Sequence, residues 1–342
     1  MTHVRVRVGD GPAHAIASRP GVGYTSLEPW ECRVDARASG VQRASLIRDM
    51  QVVPPASELH YAVHPEFRGD ATAVEARFAA TGIALDLIFD DGSRLSELGL
   101  RDQHGVVLSA EAQYAARTLL VDQWTVKRVD LSAVAGRTVA AIEVQWLVPD
   151  DGSDTPEGDL VAWLDDVRIR PIAGSVSRPS DYVRTTRGTH SSMLYSRGNT
   201  LPAVGLPSGA IMATPVTRAG ERHWQYAWHM HNGDDNRPWI EAFATTLSPS
   251  VWIGERAAFQ VMPGVSSGVP DARPEARSLA FSHDDEIDRA HYYSVTFDGG
   301  IVAELAPTAH CVAMRFTFPG DDGVLIFDQI DAGGGLTLTP DS

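Results

Sequence analysis

Histidines and carboxylates are the residues in this sequence with the clearest capacity for chemistry, but none of them forms a catalytic signature. His229 and His231 are two positions apart, so both rings share one face if the segment is an extended strand. This spacing is acceptable for zinc, but no third ligand follows nearby and aromatic residues flank the pair. The pattern favours two hydrogen-bonded strand histidines over a zinc site. The phosphate-binding glycine loop, the Gly-x-Ser-x-Gly elbow and the His-Glu-x-x-His pair are all missing from the sequence.

Clusters of carboxylates offer the oxygen ligands that calcium prefers. Three clusters lie in turn-like stretches, at residues 150–154, 234–236 and 284–286. None has the spacing of the twelve-residue calcium loop, so solvated turns are expected at all three. Asp165 and Asp166 differ because they interrupt an otherwise apolar strand, where a carboxylate needs a partner. That partner is either an arginine or a structural calcium ion held by Asp165.

Four of the eight tryptophans lie close together in the second half of the chain. They are Trp224, Trp228, Trp239 and Trp252. An indole face can stack on the C–H face of a pyranose while neighbouring carboxylates and amides bind its hydroxyls. Packing in the core is the commoner role of a tryptophan, but the cluster favours at least one exposed aromatic platform.

The composition excludes several classes of partner. The 342 residues include 29 Lys and Arg against 44 Asp and Glu, a formal net charge of −15. A surface this acidic repels nucleic-acid phosphates and anionic lipid headgroups, so neither partner is expected. No apolar run reaches the roughly 18 residues of a membrane span, and the N-terminal residues lack the apolar core of a signal peptide. The two cysteines, Cys32 and Cys311, are expected to be buried free thiols.

Apolar residues alternate with a period of two along most of the chain, which is typical of β-strands. In the first half the alternation predicts strands at 59–63, 74–78, 83–89, 142–148 and 161–169. In the second half it predicts strands at 259–261, 293–297, 312–318 and 324–326. The one helix candidate spans 111–120, and its last residues favour a strand. A linker rich in proline and glycine near residue 175 separates two predicted all-β domains, 1–174 and 175–342.

Three ordered blocks in the second domain resemble the N-terminal domain of family 92 glycoside hydrolases, the calcium-dependent exo-α-mannosidases. The first contains Gly-Asn-Thr-Leu-Pro at 198–202, the second Ser-Pro-Ser-Val-Trp-Ile-Gly-Glu at 248–255, and the third Arg-Phe-Thr-Phe-Pro at 315–319. The first domain resembles the galactose-binding-like jelly roll that precedes this domain in actinobacterial-type members. Its marks are Asp-Gln-His-Gly-Val at 102–106 and Trp-Leu-Asp-Asp-Val-Arg-Ile at 163–169.

The resemblance implies a jelly roll followed by an incomplete antiparallel β-sandwich, and inverting hydrolysis of α-mannosides in a mannose-containing glycan. In the family the catalytic acid and base belong to a later (α/α)6 barrel, so no residue of this chain is expected to be catalytic. The backbone carbonyl of Asn199 would help to coordinate calcium, Trp252 would stack on the sugar in the leaving-group position, and Glu255 would contact substrate. The resemblance also implies a place outside the cell or on its surface, within N-glycan degradation.

The chain departs from the family pattern at some positions, and two alternative functions remain to be considered. Many members carry Thr-His where this chain has Thr246 and Leu247, and aspartate is common at the position of Glu255. The first rival is a stand-alone lectin that uses the tryptophans and a calcium ion at Asp165. The second is an assembly module that docks a partner through an apolar sandwich face.

Overall fold

A computed structural model describes residues 4–48, 50–67, 75–149, 158–172, 178–192, 200–246, 250–254 and 259–329. Strands make up 44% of it and helices 9%, which confirms the predicted all-β class. Contacts divide the chain into two units, Met1–Ile16 with Pro20–Gly174 and Ala17–Arg19 with Ser175–Ser342. Within the described ranges no helix is long and apolar enough to cross a membrane.

The first unit contains two antiparallel sheets. Its strands are β1 (Val4–Val8), β2 (Trp30–Asp35), β3 (Gly40–Ile47), β4 (Gln51–Val52), β5 (Ser57–Pro65), β6 (Ile83–Phe89), β7 (Thr125–Asp130), β8 (Thr138–Val148) and β9 (Asp159–Pro171). One sheet has the order β1-β2-β9-β5-β7, and in the other β3 and β4 pair with β8, which also pairs with β6. Apolar side chains of both sheets, including Leu59, Leu85 and Trp146, form one buried core. The alternation seen in the sequence arises because each strand buries one face in this core.

Two local predictions for the first unit are wrong. Residues Glu75–Thr81 form a 3₁₀ helix, together with shorter ones at Leu95–Leu98 and Ser132–Val134. Ala79 and Ala80 are adjacent and both buried in the core. In a strand with one solvent-facing side, only one of two adjacent side chains would be buried. The predicted helix at 111–120 is α1 (Ala110–Ala116), and its last predicted residues do not form a strand. Arg117 ends α1 in the left-handed conformation, with φ of 50°.

The second unit also contains two antiparallel sheets. Its elements are a 3₁₀ helix (Pro179–Tyr182), β10 (Met212–Val216), β11 (Trp239–Ile240), β12 (Ala242–Thr246), β13 (Phe259–Val265), α2 (Pro274–Arg277), β14 (Leu279–Arg289), β15 (Tyr292–Phe297), β16 (Val302–Pro307), β17 (Val312–Thr317) and β18 (Gly323–Gln329). The sheet orders are β10-β12-β13-β18 and β11-β14-β15-β16-β17. Phe243 of the first sheet packs against the rings of Tyr293, Phe297 and Phe316 of the second. This aromatic core holds the two sheets face to face.

A β-bulge interrupts the pairing of β14 with β15. Phe281 pairs with Phe297, but the next paired residue, Glu286, faces Val295. Five steps along β14 therefore match two steps along β15, which leaves three extra residues on β14. In a regular strand, residues three apart point to opposite faces. The bulge instead brings His283 and Glu286 into contact, with 2.8 Å between Nδ1 and Oε2.

The two cysteines are free, as predicted, but only one of them is buried. Cys32 lies in the core on β2, and burial raises the pKa of its thiol. Cys311 is exposed, so the predicted burial of this residue is wrong. It lies in the turn between β16 and β17, where the backbone N–H of Thr308 donates to its carbonyl oxygen at 2.7 Å.

A thiol-reactive disulfide reagent is therefore expected to modify one thiol in the native protein and two after denaturation. The exposed Cys311 reacts because its thiolate is accessible, whereas Cys32 is both buried and held in the thiol form. Counting released chromophore checks this, and the Cys311→Ser variant should release almost none in the native state. Rapid reaction of two thiols in the native protein would contradict the burial of Cys32.

Candidate functional site

The turn at residues 250–254, between the paired strands β12 and β13, presents two exposed apolar side chains. Trp252 is 56% exposed and Ile253 70%, while Val251 is buried beneath them. The turn is closed by Gly254 N–H donating to the Ser250 carbonyl at 2.9 Å, and by Ile253 N–H donating to the Ser250 hydroxyl at 3.1 Å. These bonds fix the direction in which the indole of Trp252 projects.

Gly254 is required for the closure of this turn. Its φ is 84°, a conformation that L side chains rarely adopt. A Cβ atom there would also lie 3.2 Å from the Arg222 carbonyl and 3.2 Å from the His223 ring. The same histidine donates from Nδ1 to the Val251 carbonyl at 3.1 Å. The turn is therefore packed directly against the segment that contains residues 222 and 223.

Trp224, in that neighbouring segment, braces Trp252. The two indole rings meet edge to face, with centroids 4.8 Å apart and an interplanar angle of 85°. Trp224 itself has a φ of 48°, an outlier for a bulky residue. An exposed indole that is braced at its edge is a ready platform for stacking, and sugars stack on such faces. Trp252 is the exposed member of the tryptophan cluster.

The other predicted site residues are not brought to this turn by the described structure. Asn199 and Glu255 lie outside the described residues, as does Leu247. Asp165 belongs to the first unit, where its side chain is buried against the loop that follows β1. The predictions for Asn199 and Glu255 therefore remain predictions.

Asp165 receives hydrogen-bond donors from the loop after β1. Its Oδ2 accepts the backbone N–H groups of Thr25 at 2.8 Å and Ser26 at 3.0 Å, and Oδ1 accepts the Ser26 hydroxyl at 3.0 Å. A Cβ on Gly23 would lie 2.4 Å from Oδ2, so glycine permits this close approach. Calcium takes oxygen ligands, so the contacts given to Asp165 do not by themselves form a calcium site. The calcium ion at Asp165 stays a prediction.

Asp166 has the arginine partner that the sequence suggested for this pair of carboxylates. Its Oδ1 lies 3.0 Å from Arg168 Nε, and its Oδ2 lies 2.8 Å from His60 Nε2. Its φ of 51° coincides with a register shift between β5 and β9. The two adjacent aspartates have separate partners, the loop after β1 for Asp165 and the side chains of Arg168 and His60 for Asp166.

The expected strand around the histidine pair is wrong, because residues 228–231 form a bend and turn. His231 Nδ1 lies 2.7 Å from the Thr217 hydroxyl, and burial lowers the pKa of His231 to about 3. Within the described part of the chain, no three His, Cys, Asp or Glu side chains are arranged to hold a metal ion. The hydrogen bonding expected of this histidine pair is present at His231.

A cavity of about 390 Å³ in the second unit was missed by sequence reasoning. Its lining includes Arg218, His231, Trp239, Glu241 and Glu275. Burial raises the pKa of Glu241, whose Oε2 accepts the Ala219 N–H at 2.7 Å. These residues come from well-separated segments and share no local motif, so only the folded chain reveals that they meet.

Comparison with known proteins identifies the second unit. Residues 182–335 match the model of the glycosyl hydrolase family 92 N-terminal domain. A family 92 inverting mannosidase from Bacteroides thetaiotaomicron is similar, with 29% identity over 46% of this chain and 20% of that chain, and a TM-score of 0.39. The glycoside hydrolase domain of Endo-D from Streptococcus pneumoniae aligns with 9% identity over 92% of this chain and 35% of that chain, with a TM-score of 0.24. A comparison with curated proteins finds no match.

The family match assigns residues 182–335 to a glycoside hydrolase domain. More specifically, the chain carries the N-terminal domain of a family 92 glycoside hydrolase, as the three sequence blocks predict. It spans about a fifth of the length of the mannosidase that it matches.

Proposed function

We propose that this chain supplies sugar-binding residues to a calcium-dependent inverting α-mannosidase and does not cleave the glycosidic bond by itself. The observation that carries the proposal is the match of residues 182–335 to the family 92 N-terminal domain. The exposed Trp252, on a closed turn within that domain, supports it. A mannose-containing glycan, met outside the cell or at its surface during N-glycan degradation, is the proposed substrate.

In this proposal the two reacting carboxyl groups come from an (α/α)6 barrel outside this sequence. Inverting hydrolysis needs one carboxylic acid to protonate the leaving oxygen and one carboxylate to activate water, about 6.5–9.5 Å apart. Trp252 stacks on the sugar in the leaving-group position and thereby orients the bond for these groups. Glu255 accepts hydrogen bonds from sugar hydroxyls.

The proposed cofactor is calcium, with the backbone carbonyl of Asn199 as one ligand. A carbonyl oxygen is a ligand type that this hard cation takes in proteins, so the donor is chemically suitable. Bound calcium would favour the distorted mannose ring of the transition state. The residues of this chain contribute by holding the sugar and one side of the ion.

The second candidate function is a stand-alone carbohydrate-binding protein, which the exposure of Trp252 favours. A braced, solvent-facing indole can bind a sugar without any catalytic partner. The two candidates differ in what the chain does alone. A lectin binds glycans tightly by itself, whereas half of an enzyme pocket binds them weakly.

The test is hydrolysis of α-mannosides by this chain, with and without calcium, alongside a complete family 92 mannosidase as positive control. We expect no turnover by this chain, because the proposal places both reacting carboxyl groups elsewhere. Turnover that survives repurification and is lost on substitution of a residue of this chain would contradict the proposal. Titration with a glycan panel in the same buffer then distinguishes weak mannoside binding from the strong binding of a lectin.

A further inference from the structure

The bulge in β14 places His283 between two acceptors. Its Nε2 lies 2.9 Å from the backbone carbonyl oxygen of Trp228, and its Nδ1 lies 2.8 Å from Glu286 Oε2. A carbonyl oxygen only accepts hydrogen bonds, so Nε2 must carry a hydrogen. The state of Nδ1 then depends on whether Glu286 is ionised.

Two phenols favour the ionised form of Glu286. Its Oε1 lies 2.6 Å from the Tyr293 hydroxyl and 3.2 Å from the Tyr226 hydroxyl, and all three groups are buried. Two hydroxyl donors on one oxygen favour the ionised carboxylate over the neutral acid, because hydrogen bonds to the charged form stabilise it. A carboxylate that receives two phenol donors on Oε1 is satisfied by a third donor at Oε2, which is His283 Nδ1–H.

The ring of Trp228 supports a positive charge on His283. The indole and imidazole rings are stacked with centroids 4.1 Å apart and an interplanar angle of 7°. A cation over an indole face is attracted by the negative face of the ring. The carbonyl requires the hydrogen on Nε2, and the carboxylate and the indole face favour a second one on Nδ1.

We propose that His283 and Glu286 form a partly buried imidazolium–carboxylate pair that positions the Trp224–Trp252 contact. The link runs through the segment that joins β10 to β11, since Trp224, Tyr226 and Trp228 alternate along it. Tyr226 and Trp228 are held by the pair through their hydroxyl and carbonyl oxygens. His283 and Glu286 are therefore positioning residues that touch no sugar.

Trp224 needs such anchoring because of its backbone. A bulky residue at a φ of 48° is strained and persists only where the surrounding structure holds it. The anchored neighbours Tyr226 and Trp228 restrain the backbone on the C-terminal side of Trp224. The Trp224 ring in turn contacts the Trp252 ring, with centroids 4.8 Å apart. The expected effect of the pair on sugar binding rests on the proposed function. Its expected effect on the position of the Trp224 and Trp252 rings does not.

The charged and titratable groups around the pair come from several elements. Tyr293 lies on β15 and Tyr226 on the segment between β10 and β11, and the charge of Glu286 adds to burial in raising the pKa of each phenol. Asp288, two residues along β14, also acts on both phenols. His190 lies beyond Trp228, with ring centroids 5.6 Å apart.

The first experiment reads the protonation of His283 by NMR of the histidine ring nitrogens in the full chain. We expect both nitrogens of His283 to be protonated at neutral pH, and the Glu286→Gln variant to return the ring to the neutral form. The matched control Glu275→Gln removes an exposed carboxylate and should leave the spectrum unchanged. A neutral His283 ring in the wild-type protein would overturn the ion pair.

The second experiment compares two phenols that bind the same carboxylate oxygen. Fluorine NMR of fluorotryptophan-labelled protein reports the Trp252 environment, with the resonance assigned from Trp252→Phe. We expect Tyr226→Phe to shift or split this resonance, because Tyr226 lies on the segment that carries Trp224. Tyr293→Phe removes the shorter of the two hydrogen bonds to Glu286 Oε1. Because Tyr293 lies on β15 and not on the segment that carries Trp224, this variant should leave the Trp252 resonance unchanged.

Equal responses to the two phenylalanine variants, or no response to either, would overturn the positioning role even if His283 is charged. Both substitutions keep an aromatic ring in the core. The comparison of Tyr226→Phe with Tyr293→Phe can therefore be made even if Glu286→Gln does not fold. Mannoside titration of the same variants adds a separate readout. If Tyr226→Phe alone shifts the Trp252 resonance but the wild-type chain binds no mannoside, the positioning role is supported and only the proposed function is contradicted.

Discussion

Replacement of Lys127 by methionine is expected to lower the free energy of unfolding of the first unit by about 3–5 kcal/mol. Lys127 is the single lysine of the chain and is buried on β7. Its Nζ donates to Asp102 Oδ2 at 2.6 Å and to the Thr118 hydroxyl at 3.0 Å. Methionine fills a similar volume but leaves the Asp102 carboxylate buried without its cation. Chemical denaturation, followed by fluorescence of the buried Trp124 and Trp146, measures the loss.

The pH dependence of this effect follows from the pKa of Asp102. Burial by itself raises this pKa, but the hydrogen bond and charge of Lys127 hold it below its usual value. A carboxyl group with a lowered pKa in the folded state stabilises the fold above its unfolded pKa of about 3.9. That contribution is lost as the pH falls through the lowered value. The difference between wild type and Lys127→Met should therefore narrow in acid below about pH 4.

The matched control is Arg128→Met, which removes the neighbouring cation from an exposed position. Such a surface change is expected to stay within about 0.5 kcal/mol of wild type. Adding Asp102→Asn to Lys127→Met should restore part of the lost stability, because the buried charge is then removed. Equal stability of the lysine and arginine variants would show that the Lys127–Asp102 pair does not stabilise the first unit.

Replacement of Trp252 by alanine is expected to weaken mannoside binding at least tenfold, which corresponds to about 1.4 kcal/mol. Tryptophans at the centre of binding sites are among the residues with the largest losses on truncation. The free energy of unfolding should change little, because the side chain is more than half exposed. Titration calorimetry with a manno-oligosaccharide measures the affinity, and thermal unfolding checks the fold.

Ile253→Ser is the matched control for Trp252→Ala, because Ile253 lies on the same turn and is even more exposed. It should leave the affinity within a factor of about two, well below the loss of a stacking partner. Trp252→Phe keeps an aromatic face and is expected to give an intermediate affinity. Equal binding by wild type and Trp252→Ala would exclude this indole as a sugar contact.

The candidate site shows how far local sequence reasoning extends. Trp252 was found because it lies in a recognisable block, and exposure at a turn follows from the Ser-x-x-x-Gly closure around it. Trp224, which braces it, carries no local mark of that role. The importance of Glu286 was also missed, because residues 284–286 resemble a solvated acidic turn. Only the bulge shows that Asp284 and Asp285 face solvent while Glu286 is buried.

The sequence by itself determined the all-β class, eight of the eighteen described strands and the family of the second unit. Period-two alternation predicts a strand because a strand that buries one face alternates apolar and polar residues within its own sequence. The tertiary structure alone decided the partners of the buried ionisable side chains, such as Lys127 with Asp102 and Glu286 with His283. Those partners are distant in sequence or joined by an irregularity, and a buried charge takes whichever counter-charge or donor the fold brings within hydrogen-bond distance.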